Sequence, residues 1–347
     1  MSAVAVAVEE LREADRPPEE RGLSRDRVLM LVADPAAGGL YHGHFDELPE
    51  LLGPGDVLVL NTSRTLPAAL PARSAGGARL VLHLSTPAPG ERPGRWIVEL
   101  RTDDGRRHGG HAGQRLLLPG GAEAELLASY VGSRLWVADL HLRGGDLLDY
   151  LDRHGQPIRY RHTGADWPLD AYQNVYAVEP GSAEMPSAGR PFTAEMITRL
   201  VARGVDVAPV VLHTGVSSLE RGEPPYSERF EVSRATAERV NLARALGGRV
   251  VAVGTTSVRA LESAAHADGS VRAASGWTDL VIGAERPVRA VDAVLSGFHD
   301  RDTSHLQLLE AVAGQALLEG AYSAALEHGY LRHEFGDVLL VLPRRGL

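Results

Sequence analysis

Residues 248–282, GRVVAVGTTSVRALESAAHADGSVRAASGWTDLVI, constrain this chain more than any other stretch. Residues 249–253 form a short β-branched run, Gly254 breaks it, Thr255, Thr256 and Ser257 follow, and Val258, Leu261 and Ala265 recur at helical spacing. The pattern predicts strand, tight turn and helix. A helix beginning at Thr256 or Ser257 presents unpaired backbone N–H groups beside several hydroxyls, which suits a carboxylate, a phosphate or a purine edge as well as simple helix capping. A turn at Gly276, Trp277, Thr278 and Asp279 then puts an aromatic plane, a hydroxyl and a carboxylate just before a second apolar run at 280–282, a composition that suits a flat ligand.

The amino-acid inventory narrows the chemistry. Cysteine is absent, so disulfides, thiolate metal sites and a thiol nucleophile are excluded together. Lysine is absent too: all 36 basic residues are arginine, which removes Schiff-base chemistry and the ordinary Walker phosphate loop. A catalyst must draw on His, Asp, Glu, Tyr, Ser, Thr, Arg and backbone groups. The formal net charge of −9 argues against broad, non-specific nucleic-acid binding and leaves room for a local arginine patch. At 347 residues, 44% hydrophobic and 23% charged, the chain reads as a globular protein of about two domains. No apolar run reaches membrane-span length and MSAVAVAV lacks a leader's basic start, so the expectation is a cytoplasmic protein without membrane contact.

Residues 28–33 and 56–60 are strand-like, the second ending in Asn61, Thr62, Ser63 and Arg64. Over about 71–143 the texture changes to β runs such as RLVLHL, RWIVEL and RLWVADLHL between Gly- and Pro-rich breaks, which predicts a small inserted antiparallel β-barrel. Helical patterning resumes at 146–154. The following GQPIRYRH gathers Arg159, Arg161 and His162 around Tyr160, either a phosphate and base grip or a solvated loop. Thr193 is placed to cap a helix over 194–203, and 205–212 is a strand delivering His213, Thr214 and Gly215. His213 is a candidate base or a structural histidine. Ser233 caps a helix at 235–246, 291–295 is a strand running into Phe298 and His299, and Thr303 or Ser304 caps a helix reaching about Leu318. A further helix is expected at 322–328 and a closing strand at 338–342. Alternating strands and helices predict an α/β body with a mostly parallel sheet and ligand contacts at strand ends.

The order of short segments then becomes diagnostic: PPEERGLSRDRVLML, NTSR, LPAAL, YQNVYAVEPG, the PSAG turn followed by Phe192 and Thr193, LHTG, GTTSVRALESAA, SGWTDLVI, GFH and FGDVLLVL. Collinear over nearly the whole chain, they resemble the S-adenosylmethionine:tRNA ribosyltransferase-isomerase family. The resemblance implies an α/β S-adenosylmethionine-binding and catalytic domain over 1–70 and 146–347 carrying an inserted β-barrel over 71–145. It implies transfer of the ribosyl part of S-adenosylmethionine to 7-aminomethyl-7-deazaguanine in the tRNA anticodon, with rearrangement to epoxyqueuosine and release of adenine and methionine. The sulfonium acidifies the adjacent C5′ hydrogens, so a general base, adenine protonation and oriented hydroxyls would suffice and no metal is expected.

Carried over position by position, the resemblance makes His213, His299 and Asp279 catalytic candidates. It assigns S-adenosylmethionine to Thr193, Gly215, Thr255, Thr256, Ser257, Arg259, Trp277, Thr278 and Asp337, and the acceptor to Asn61, Arg64, Arg159, Arg161 and Phe192. A monomer is expected. The chain departs from the family pattern at Thr62, Pro191, Tyr226, Gly297 and Asp300-Arg301, and the connection after Gly215 is several residues short. These departures fall on loops and strand ends, where binding residues concentrate. They keep open a small-molecule or free deazapurine acceptor, and, in another class, a non-catalytic nucleoside- or RNA-binding module.

Overall fold

The computed structural model describes residues 10–343 apart from 91, 93, 133, 161, 217–225 and 301–302. Its body is a nine-stranded mixed sheet. In spatial order the strands are Ala274–Thr278, Glu228–Val232, Asp206–Leu212, Val57–Asn61, Val250–Val253, Ala293–Gly297, Val338–Val341, Leu29–Asp34 and Gly39–His44. The four strands from Asp206–Leu212 to Ala293–Gly297 run parallel at the centre; the flanking pairs are antiparallel except that Val338–Val341 and Leu29–Asp34 run parallel to each other. This is the α/β body expected from the alternation of strands and helices.

Both faces of the central strands are covered, which is why VLVLN and VVAV are continuous apolar runs. Val57, Val59, Val250 and Ala252 point to the face packed by the helices Arg234–Ala245, Gly254–Ala264, Ser304–Ala313 and Gln315–Glu327. Leu58, Leu60, Val251 and Val253 point the other way, against Met196 and Leu200 of the helix Ala194–Ala202 and against Phe45 and Leu48. Each such fully buried Val or Leu contributes about 1.5–3 kcal/mol of transfer free energy. Thr193, Ser233 and Thr303 cap their helices as the sequence predicts, accepting from the N–H of Met196, Thr236 and Leu306.

Residues between Asn61 and the helix Leu147–His154 form a closed six-stranded antiparallel barrel, in the order Glu123–Val131, Leu135–His141, Arg95–Arg101, Arg79–Pro87, Ala69–Ser74 and Arg115–Leu117. Its core of Leu70, Leu82, Leu84, Ile97, Leu100, Leu126 and Leu135 is separate from the two sheet cores. Val216 and Tyr226 pack into it, so the barrel leans on the loop that follows His213.

Three local expectations are corrected. Residues 276–279, expected as a turn, belong largely to the sheet: Ala274–Thr278 is its edge strand. The helix expected to run from Thr303 to about Leu318 ends at Ala313, because Gly314 has a left-handed φ of 79°, and a second helix starts at Gln315, not near Tyr322. The strands Gly39–His44 and Glu228–Val232 were not anticipated. No helix among the described residues is long and apolar enough to cross a membrane.

Candidate active site

The four central parallel strands all end on the same edge, where an open α/β sheet binds its ligands. Asp206–Leu212 delivers His213, Val57–Asn61 delivers Ser63, Val250–Val253 delivers the helix Gly254–Ala264, and Ala293–Gly297 delivers His299. Three strand spacings separate the two histidine-bearing ends, about 14 Å at the backbone. His213 and His299 therefore stand at opposite ends of this edge, and the crevice expected along it is of nucleoside length.

His213 is held by a chain of hydroxyls. Its Nδ1 lies 2.7 Å from Ser63 Oγ, which lies 2.6 Å from Ser182 Oγ, and Ser182 in turn accepts the Thr214 N–H at 3.1 Å. Gly181 makes room for the ring: a Cβ there would fall 2.4–2.6 Å from Nδ1, Cε1 and Cγ of His213. Burial, helped by the Arg229 guanidinium and opposed by Glu228, pulls this imidazole down to about 4. It is neutral at physiological pH, the form able to accept a proton.

At the other end His299 Nε2 pairs with Ser296 Oγ at 2.7 Å, and the backbone N–H of His299 donates to Tyr322 Oη at 2.9 Å. His305 lies against it, ring centroids 4.8 Å apart. Burial holds His299 well below the ordinary histidine range and lowers His305, so both imidazoles are neutral. The sequence offered no signal for His305 beyond its type, because its contact depends on how the helix Ser304–Ala313 folds back.

Between these ends sits the start of the helix Gly254–Ala264, which no side chain caps. Gly254 has a φ of 83°, a conformation that favours glycine, and the turn Ser187–Gly189 packs beside it: a Cβ on Gly254 would be 3.4 Å from Ala188. Three buried polar atoms surround that turn with no hydrogen-bond partner, namely Asn174 Oδ1, Tyr176 Oη and Thr256 Oγ1. Asn174 and Tyr176 are against Gly189, where a Cβ would meet Tyr176 Oη at 1.9 Å and Asn174 Nδ2 at 2.6 Å. An orphaned buried polar atom costs about 1–3 kcal/mol, so three around one uncapped helix start mark a place that expects a polar ligand.

Beneath the crevice, Glu228 joins three segments. Its Oε1 accepts the Gly215 N–H at 2.8 Å, and its Oε2 pairs with Arg259. Arg259 also donates to the carbonyls of Leu280 and Thr278 at 3.1 and 3.3 Å. Thr278 Oγ1 bonds Ser263 Oγ at 2.6 Å. Glu228 escaped the sequence reading because its partners lie on the loop before it and the helix after it, with no periodic signature.

Other expected site residues are placed elsewhere. Phe192 has no exposed surface and packs edge-on against Phe45, 4.9 Å between ring centroids, so it is a core residue with no face for an acceptor. Asn61 is buried and ties two strands, donating to the Leu212 carbonyl and accepting the N–H groups of Leu212 and Ser63. Asp337 accepts the N–H groups of Leu29 and Leu331, both at 2.7 Å, and burial raises its pKa. Thr193 is spent on its cap, and Ser257 on the Val253 carbonyl at 2.7 Å. Arg159 bonds the Thr163 carbonyl and pairs with Asp166 on the surface. Arg161 lies outside the described residues. Thr255 is buried in the first turn of the helix, Gly215 lies against Tyr226 and Ser85, and Arg64 is exposed. Trp277 and Asp279 are exposed beside the crevice, with Arg229 directly across the ladder from Trp277.

Comparison with known proteins agrees with this architecture. Residues 6–341 match the family described as "Queuosine biosynthesis protein". A relative from Symbiobacterium thermophilum, named S-adenosylmethionine:tRNA ribosyltransferase-isomerase, is 38% identical over 343 residues, covering 95% of this chain and 96% of its own. One of the same name from Anaeromyxobacter sp. (strain K) is 38% identical over 330 residues, covering 92% and 94%. A crystal structure of S-adenosylmethionine tRNA ribosyltransferase from Thermotoga maritima superposes with a TM-score of 0.53 at 27% identity, covering 95% of this chain and 96% of that one. With its fold and its similarity over more than nine-tenths of its length in agreement, the chain belongs to the queuosine biosynthesis family of S-adenosylmethionine:tRNA ribosyltransferase-isomerases.

Proposed function

We propose that this chain transfers the ribosyl part of S-adenosylmethionine to 7-aminomethyl-7-deazaguanine in tRNA and isomerises it, giving epoxyqueuosine and releasing adenine and methionine. The observation that carries the placement of S-adenosylmethionine is the ring of orphaned atoms, Asn174 Oδ1, Tyr176 Oη and Thr256 Oγ1, around the uncapped start of the helix Gly254–Ala264. These groups offer a donor, acceptors and free backbone N–H groups to the cosubstrate's polar parts.

The sulfonium supplies the acidity of the C5′ hydrogens and the leaving group. The protein's share is to take the C5′ proton, to return it from the imidazolium so formed to departing adenine, and to keep water out. Neutral His213 is the base in the tautomer whose Nδ1–H donates to Ser63 Oγ, itself in contact with Ser182, which leaves the Nε2 lone pair for the proton. His299 and His305 provide neutral imidazoles at the far end. Arg259 acts through geometry, because its guanidinium is committed to Glu228 and two carbonyls. Arg229 and Trp277, side by side and exposed, offer a cation and a ring to an RNA loop at the crevice mouth.

The test incubates purified protein and S-adenosylmethionine with an anticodon stem-loop carrying the deazaguanine base, or with the free base. Adenine and methionine are followed by chromatography, and the RNA by mass. Release of both, with the matching mass gain on the RNA, is the expected result. Release with the free base alone would replace tRNA by a small-molecule acceptor. Binding of S-adenosylmethionine without turnover on either acceptor would refute the enzymatic reading.

A further inference from the structure

One cluster, beside His299 but assigned no step of the reaction, has the donor chemistry of a metal site. His162 follows the barrel's return to the body, while His333 and Glu334 lie in the turn before the closing strand Val338–Val341. The fold brings one donor atom from each to within 4.8 Å of the others. His162 Nε2 and Glu334 Oε2 are paired at 3.0 Å, an ion-pair distance with a bent hydrogen-bond geometry, and both atoms are buried with no other hydrogen-bond partner. The His162 side chain is only 9% exposed. His333 is the one non-glycine residue with positive φ among the described residues, at 71°, a backbone state that carries strain and recurs at functional sites.

We infer that His162, His333 and Glu334 bind one divalent first-row transition cation of the zinc type. Two imidazoles and a carboxylate are borderline donors that suit Zn²⁺ or Co²⁺ and disfavour Mg²⁺ or Ca²⁺. Around zinc with bonds of about 2.0–2.1 Å, neighbouring donors sit about 3.3 Å apart. The His162 and Glu334 pair is already at that spacing. His333 is not: its ring stacks on His162 at 4.4 Å and 16°, so its lone pair runs alongside that of His162. The cation would turn the His333 ring out of the stack and draw its nitrogen in by up to about 1.5 Å. The carboxylates of Glu13 and Asp300, 3.4 and 3.8 Å from His333 Nε2, are positioned to orient that ring from the outer shell. A cation here would pin the loop carrying Tyr160 and His162 to the sheet body, outside the steps assigned to His213.

The experiment titrates tag-free, chelator-stripped full chain with Zn²⁺ by calorimetry and with Co²⁺ by visible absorption. One equivalent should bind, Co²⁺ should give the d–d band of a four- or five-coordinate nitrogen and oxygen site, and Zn²⁺ should raise Tm. His162→Gln, His333→Asn and Glu334→Gln should each weaken binding by at least the ~10–100-fold that loss of even an outer-shell partner costs. Circular dichroism and melting of the metal-free variants verify that they fold. No saturable binding, or one-equivalent binding that survives all three changes and so resides at other histidines, would overturn the inference. Neither readout depends on ribosyl transfer.

Discussion

The depressed pKa of His213 is a statement about stability as well as chemistry. Its folded value is about 4, against 6.5 for an unperturbed imidazole, so between those values the unfolded chain binds the extra proton. The stability that His213 contributes by staying neutral is present in full above pH 6.5 and is lost as pH falls through about 4. At 1.36 kcal/mol per unit, the full loss is about 3 kcal/mol, and at pH 5 about 2 kcal/mol is already gone. His213→Asn keeps a side chain able to bond Ser63 and removes the titration. Urea unfolding of both proteins at pH 8 and pH 5 isolates the effect, because His83, His299 and His305, whose pKa values are also lowered by burial, titrate in both and cancel. The stability lost on acidification should be smaller by about 2 kcal/mol in the variant. Equal losses in the two proteins would mean that His213 is not held neutral, and the assignment of a buried base would fail with it.

Other residues give independent tests. Gly181→Ala should push the His213 ring aside, since the added Cβ would lie 2.4 Å from Nδ1, costing about 1–3 kcal/mol of stability and lowering kcat for adenine release about 100-fold in protein that circular dichroism shows still folded; unchanged turnover would show that the ring's place is immaterial. Thr256→Val removes an orphaned buried hydroxyl, so the ligand-free protein should gain up to about 1 kcal/mol in urea unfolding while its S-adenosylmethionine affinity falls about tenfold. Unaltered affinity would count against this helix start as the cosubstrate site. At the opposite edge of the sheet, Asp56 is fully buried and holds Arg249 through Nε and Nη2 at 3.1 and 2.7 Å. Asp56→Ala strands that guanidinium and should cost about 3–5 kcal/mol by denaturant unfolding. A loss below 1 kcal/mol would show that the Leu51 and Pro343 carbonyls satisfy Arg249 alone.

What was legible in the sequence followed from local rules. Strand, glycine and helix at 250–264 needed only an apolar run, a residue tolerant of φ near 83°, and helical spacing. Thr193, Ser233 and Thr303 were readable as caps because capping is settled within three residues. Ala274–Thr278 was misread because Ser, Gly and Thr beside a tryptophan carry turn chemistry, and only pairing with Glu228–Val232 makes them an edge strand. Phe192 sits in a motif of polar neighbours, yet its ring fills the space beside Phe45. Proximity to a motif in sequence did not determine which way the side chain faced.

The site itself depends on an exchange of order that no local pattern encodes. The chain makes Val57–Asn61 first and Asp206–Leu212 long afterwards, with the whole barrel between them, then returns to Val250–Val253 on the other side of the first strand. The chain thus leaves Val57–Asn61 toward Asp206–Leu212 on one side and leaves the neighbouring Val250–Val253 toward Ala293–Gly297 on the other, and a crevice is expected at that point of reversal. Ser63, Ser182 and His213 meet there although up to 150 residues separate them. A sequence reading could place His213 and the 254–257 turn at strand ends. It could not place Ser63 beneath one or Glu228 beneath both, because those contacts exist only once the strands have taken their order. Polar residues one or two positions past a parallel strand therefore deserve to be read as a set across all such strands, since the sheet edge, and not the motif, is the unit that binds.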